Sequence, residues 1–404
     1  MPGINIIKYY KKTDYNTEEY VYSTYSAEKA GSFFCFESII DGGIEFMVNF
    51  NSLRIAFTFA GCFLGAGYVS GQEMWQFFVS FGLKGLFGLF LAILLLFAFG
   101  VLLMRLAGLS GLGESEALII RKPIGFLRAF IGVAEIFFLT GIAVIMAAGI
   151  GALSEQTIGV SRIVSSALFC ILVFILVLGG HERMVAVFSL TVPLLVIFTV
   201  AVSAAAYIYF PVTNLRVAAE SVSDEINPLL GSWPVSALTF VSYNLFSSAE
   251  ILAPLGKTVS SPRRVYKGIA LGCVILFVIA LCIFVSLSLY PDACTEQLPM
   301  LAVAGKISPL LEIIYAFLLF LGMLGTATSS IVAAVHYIAV KTSFRVSRFA
   351  AAAAISAFVY AGSLLGFGEL IGTVYPVCGY FGILALLCML EHFIHIKIKN
   401  CSNK

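Results

Sequence analysis

Long apolar runs separated by short polar connections fill most of the chain. Runs long enough to cross a bilayer as helices lie at 52–81, 83–106, 129–153, 163–179, 184–209, 234–256, 268–290, 308–340, 347–365 and 369–392. Each of the ten predicts a membrane-spanning helix. Two connections are longer: 107–128, amphipathic and broken by Pro123, and 210–233, which carries Asn214, Glu220, Asp224 and Glu225. Two runs depart from uniform apolarity. The first holds Gly61, Gly65, Gly67, Ser70, Gly71, Gln72 and Glu73 near its middle, and the sixth holds Ser242, Tyr243, Asn244, Ser247, Ser248 and Glu250. Unpaired backbone in hydrocarbon costs several kcal/mol per group, so a helix broken there survives only where it lines a cavity or holds a ligand. The bland alternative is a glycine-rich packing face, Gly61 to Gly65 and Gly67 to Gly71, but close packing does not call for Gln72 and Glu73.

Spacing strengthens the reading of two breaks. Ser70-x-x-Glu73 and Ser247-x-x-Glu250 both have the spacing of a capping box, which starts a helix, so each would restart a half-helix in mid-membrane. Five spans followed by five, each half opened by a broken helix, is the pointer to an inverted-repeat transporter with its site at the midplane. The expected fold is therefore all-α and polytopic, with helices 1 and 6 broken. Its expected parts are a polar extension over 1–50, a first repeat over 51–209, an outer loop over 210–233, a second repeat over 234–392 and a tail over 393–404.

Composition agrees. Of 404 residues, 60% are hydrophobic and 11% charged, and the mean hydropathy is +1.01. Placement of charge then sets orientation. With the N-terminus inside, 20 of the 24 Lys and Arg fall in inner segments, leaving Lys84, Arg162, Arg216 and Lys306 outside. One missed or invented span would invert every later loop and spoil the bias, so ten spans with both termini cytoplasmic in the cell membrane are expected together. Residues 1–50 lack a signal-peptide pattern, and Met47 is a candidate true start just before the first span. The nine cysteines form no CxxC or Cys/His group, which predicts neither a structural disulfide nor a metal cluster.

Ala66-Gly67-Tyr68-Val69-Ser70-Gly71-Gln72-Glu73, Phe77-Phe78, Val241-Ser242-Tyr243-Asn244-Leu245 and Pro254-Leu255-Gly256 resemble the bacterial YkvI-type membrane proteins. These are relatives of the amino acid, polyamine and organocation transporter superfamily. The resemblance covers roughly residues 50–395 and implies a LeuT-like fold of two inverted five-helix repeats. It also implies a solute held between the unwound parts of helices 1 and 6. Ala60-Gly61-x-x-x-Gly65-x-Gly67 and Thr328-Ser329-Ser330-Ile331 further resemble the first and eighth helices of sodium-coupled symporters. That likeness implies one Na⁺, bound by the carbonyls of Gly61, Leu64 and Gly325 and the hydroxyls of Thr328 and Ser329. A second sodium is not expected, since Cys62 and Tyr68 stand where those symporters place asparagines.

Glu73 and Glu250 have two compatible readings, as caps for orphan N–H groups or as titratable groups that carry a coupling proton; Glu135 is either a third such group or an interhelical contact. Gly65, Gly67, Tyr68, Ser70, Gly71, Tyr243, Asn244, Ser247 and Ser248 are the expected solute contacts. No nucleophile and base, HExxH or phosphate loop occurs, so an enzyme is not expected, nor is any cofactor beyond the coupling ion. The expected partners are a small solute and the lipid bilayer, not nucleic acid. The function expected is secondary active transport of a small, amino-acid-like solute coupled to Na⁺ or H⁺. The rival is a germinant-receptor-like subunit that binds such a ligand without pumping it.

Overall fold

The computed structural model describes residues 50–112, 115–121, 125–179, 182–210, 226–259, 261–341 and 347–402. The expected extension before residue 50, most of the 210–233 loop and the last two residues of the tail lie outside them. The described chain is helical: α1 Phe50–Phe63, α2 Ala66–Val69, α3 Gln72–Phe77, α4 Leu83–Ser110, α5 Ser115–Ile119, α6 Gly125–Ile158, α7 Arg162–Gly179 and α8 Glu182–Tyr209. It continues with α9 Trp233–Thr258, α10 Pro262–Leu289, α11 Pro299–Ile307, α12 Pro309–Lys341, α13 Arg348–Ser363 and α14 Phe367–Ser402. Local sequence explains several starts. Pro234, Pro262 and Pro299 occupy first turns, where a missing N–H costs nothing, and the Ser347 hydroxyl accepts from Ala350 N to cap α13.

Among the described residues seven helices, α4, α6, α7, α8, α10, α12 and α14, are long and apolar enough to cross a membrane. The chain is thus a multi-pass membrane protein. The other three expected spans differ in kind. The first is divided among α1, α2 and α3, the ninth is the 16-residue α13, and the sixth is α9, of 26 residues and more polar than its neighbours.

The expected break in the sixth span is overturned, because α9 runs as one helix through Tyr243 and Asn244. Its polar groups are absorbed by its own backbone. Ser242 donates to Leu238 O at 2.6 Å, Asn244 to Phe240 O at 3.0 Å, Ser247 to Asn244 O at 2.9 Å and Ser248 to Leu245 O at 3.3 Å. Such back-bonding lets short polar side chains sit in an apolar setting without opening the helix.

The helices sort into two groups. Helices α6, α7, α12 and α13 pack on one another; α1, α4, α9 and α10 form the second group. Two helices bridge them, α8 touching α10 and α12, and α14 touching α9, α4 and α6. The α1–α10 contact rests on Gly268 and Gly272, one turn apart, where a Cβ would come within 2.6 Å of Ile55 and 2.9 Å of Phe59. Small residues at that spacing let two backbones approach, the usual device where lipid offers no hydrophobic drive to association.

Candidate functional site

The first span stops being helical at Leu64 and Gly65, resumes for one turn in α2, and turns again at Ser70–Gly71 before α3. Gly71 has φ +87°, a left-handed conformation that disfavours any side chain. The backbone groups released by these interruptions are answered from elsewhere in the bundle. Ser70 O accepts from Met300 N at 2.8 Å, Val69 O from the Tyr315 hydroxyl at 2.6 Å and Phe77 O from the Ser236 hydroxyl at 2.6 Å. Gly67 O accepts locally from Ser70 Oγ at 2.9 Å. The Tyr315 hydroxyl also meets Thr199 Oγ1 at 2.8 Å, and the Tyr68 hydroxyl donates to Leu276 O of α10 at 2.9 Å.

Neither capping box forms. The residue before α3 is Gly71, with no side-chain cap, and the Ser70 oxygen instead accepts from Gln72 N at 3.4 Å. In the sixth span there is no helix start for Ser247 and Glu250 to cap.

Freed of that duty, Glu73 is turned inward. Its side chain is buried, Oε2 accepts the Tyr243 hydroxyl at 2.7 Å, and Oε1 lies over the α-carbon of Gly67, where a Cβ would overlap it. Gly67 is therefore required to be bare. Gly65 is not: it has an ordinary extended conformation, and a Cβ there would meet no atom within 4 Å. Tyr243 stacks on Tyr375 with ring centroids 4.6 Å apart and planes at 16°. Phe77, Phe240 and Phe138 close round it at 5.5, 5.6 and 6.4 Å. The first and sixth spans thus meet through Glu73 and Tyr243, although Asn244, Ser247 and Ser248, expected beside them, point their polar groups back at α9.

Glu135 and Glu250 lie at a second centre. Ser115, on the five-residue α5, donates to Glu250 Oε1 and sits 3.3 Å from Glu135 Oε1. Next along α5, Glu116 accepts the Tyr337 hydroxyl at 2.9 Å, and Leu118 O meets Nδ1 of His392 at 2.9 Å. Glu135 and Glu250 are brought together, and Glu73 stands apart from them.

Of the implied sodium ligands, Thr328 donates to Leu324 O at 2.7 Å and Ser329 to Thr326 O at 2.9 Å. Both hydroxyls spend their hydrogen on α12 and keep lone pairs to offer. Leu64 is at the helix interruption, while Gly61 is within α1 and Gly325 within α12. Hard, uncharged oxygens of this kind suit Na⁺.

Several residues here gave no sign in the sequence. Phe138, Phe240 and Tyr375 look like ordinary span residues, and only the fold places them round Tyr243. Pro376 was the readable clue. It has no N–H for Gly372 O, and the structure supplies one from Asn227 Nδ2 at 2.7 Å, which also reaches Gln76 Oε1 at 3.2 Å.

No family model matches the chain. It is 29% identical over 340 residues to the uncharacterized membrane protein YkvI of Bacillus subtilis (strain 168), covering 83% of this chain and 95% of that one. A second relative, the uncharacterized protein YyaD of the same organism, is 26% identical over 365 residues, 84% of this chain and 96% of that one. Among solved structures, a Na⁺-coupled sialic acid symporter in a substrate-bound outward-open state superposes with a TM-score of 0.53 at 15% identity. That match covers 93% of this chain and 86% of the symporter, and is a likeness of fold. The Eremococcus coleocola manganese transporter follows at 0.49 and 12% identity, over 83% and 78% of the two chains.

Proposed function

We propose that the protein is a secondary active transporter of a small organic solute, working by alternating access between two five-helix halves. The observation that carries the reading is the interrupted first span, whose buried carboxylate is held by a tyrosine of the sixth. A bilayer protein tolerates irregular backbone and an acid at that depth where protein buries them or they line a pathway, and an acid so placed is a functional-site candidate.

Packing supports the paired halves. Numbering the ten spans in order, first on seventh answers sixth on second, fifth on seventh answers tenth on second, and fifth on eighth answers tenth on third. Exchanging halves maps these three contacts onto one another, although the close packing of the sixth span on the tenth has no equal between the first and the fifth. In this reading ten helices cross the membrane, with both termini cytoplasmic.

The coupling ion is Na⁺ at Gly61, Leu64, Gly325, Thr328 and Ser329, whose oxygens are chemically suited to it. Glu135 and Glu250 form the competing proton site. Uptake of valine and of isobutylamine into proteoliposomes under an imposed Na⁺ or H⁺ gradient tests the reading. Accumulation against a gradient is expected, whereas binding without accumulation would make the protein a sensor.

A further inference from the structure

We infer that the lipid-facing side of α10 is a docking surface for an anionic phospholipid, with its phosphate among Arg263, Arg264 and Lys267 and an acyl chain along Leu271, Val274 and Val278. Such a surface requires only that α10 crosses the bilayer, whether the protein pumps its solute or senses it.

Arg263, Arg264 and Lys267 stand in the first two turns of α10 and are exposed. Steps of four, four, three and four residues lead from Arg263 through Lys267, Leu271 and Val274 to Val278. The cations and the exposed apolar side chains therefore share one face of the helix. The opposite face, with Val265, Gly268, Ile269 and Gly272, is buried against α1 and α4. From Lys267 to Val278 the helix rises about 16 Å, close to the roughly 15 Å of hydrocarbon in one leaflet. A phosphate held by the cations thus leaves an acyl chain lying along the stripe.

Charge names the lipid. Among the described residues none of the three cations has an ion-pair partner, and no Asp or Glu occurs in α10 or in α1 and α4 packed against it. Cations three and four residues apart repel one another, and the positive end of the helix dipole adds to the repulsion. Orientation in the membrane would be served by these charges anywhere in the connection; gathered on one face, in line with an apolar stripe, they also meet headgroups. An anionic headgroup offsets both repulsions, and Lys and Arg next to a span are drawn to anionic lipid. A zwitterionic headgroup brings an ammonium of its own and gains far less.

The test titrates palmitoyl-oleoyl phosphatidylglycerol and the matching phosphatidylcholine onto the full-length protein in detergent, with bound lipid read by native mass spectrometry. Phosphatidylglycerol should bind wild type at least tenfold more tightly than phosphatidylcholine. The triple variant Arg263→Gln, Arg264→Gln, Lys267→Gln should lose at least tenfold in phosphatidylglycerol affinity, and Leu271→Ala with Val278→Ala several-fold. Lys397→Gln with Lys399→Gln, which removes two exposed cations of α14, should keep the wild-type affinity. Inorganic phosphate at millimolar concentration should not displace the lipid; displacement would make this a site for a free anion and overturn the lipid assignment. Equal affinity for the two lipids, undiminished phosphatidylglycerol binding in the triple variant, or an equal loss in the α14 variant would also overturn it. If the triple variant fails to insert, Lys267→Gln alone decides: a several-fold loss supports the surface and an unchanged affinity removes it.

Discussion

At the scale of single residues, two glycines in the same motif separate. Gly67→Ala places a methyl where Glu73 Oε1 lies, and Gly65→Ala places one in open space. The first should displace the carboxylate from Tyr243 and destabilise the fold by about 1–3 kcal/mol, in the range of overpacking, while the second changes stability by less than about 0.5 kcal/mol. Thermal melts of the two purified variants check this, and equal melting temperatures would show that Glu73 does not need Gly67 bare. The sequence made Gly65 and Gly67 look equivalent because both flank the interruption. Their difference comes from where a side chain six residues onward is folded back, which no local pattern records. Likewise Glu73 was legible as an anomaly, an acid in an apolar run, but its tyrosine partner 170 positions away was not.

At the scale of elements, the interruption of the first span was readable and the one expected in the sixth was not there. Both spans are polar at the centre, yet the first combines polarity with glycines that pay little for leaving the helix. The sixth has none between Trp233 and Leu255, and its serines and asparagine can bond to their own turn. Polarity alone did not separate these cases; the glycines did. A second element lesson is α5, whose five residues are all buried and whose side chains and carbonyls tie it to α6, α9, α12 and α14. The sequence showed only an amphipathic connection. Ser115→Ala removes the hydroxyl shared by Glu135 and Glu250 and leaves two acids facing each other without it, at a cost of about 1–3 kcal/mol. Maleimide labelling of a cysteine placed at Ala117 should then speed up relative to the same cysteine alone; an unchanged rate would mean that Ser115 does not hold α5.

The eighth span, within α12, carries the test of the coupling ion. Thr328→Ala deletes one neutral oxygen from the proposed sodium set while α12 keeps its backbone bonds. If Na⁺ binds there, the sodium concentration for half-maximal solute uptake should rise by about tenfold or more, the equivalent of about 1.4 kcal/mol. Solute uptake that is equal in sodium and choline at fixed pH, in wild type and variant alike, would remove the site and turn attention to Glu135 and Glu250.

At the scale of the whole molecule, the remaining question is how the helices thread the bilayer. Seven qualify by length and composition, and the first, sixth and ninth spans fall short for separate reasons: interruption, polarity and a length of 16 residues. If only seven crossed, the termini would lie on opposite faces and the basic residues would no longer gather on one. With all ten crossing, 20 of 24 Lys and Arg share the face of the termini. Packing argues the same way, since the first span lies on the seventh as the sixth lies on the second, and a helix outside the bilayer could not fill the role its counterpart fills within it. Single cysteines at Lys84, Arg162 and Lys306 should react with an impermeant maleimide added outside intact cells, and those at Arg105, Lys257 and Lys399 only after permeabilisation. Labelling of Lys257 and Lys306 positions from the same side would break the ten-span threading, because α10 is the only long apolar helix described between them.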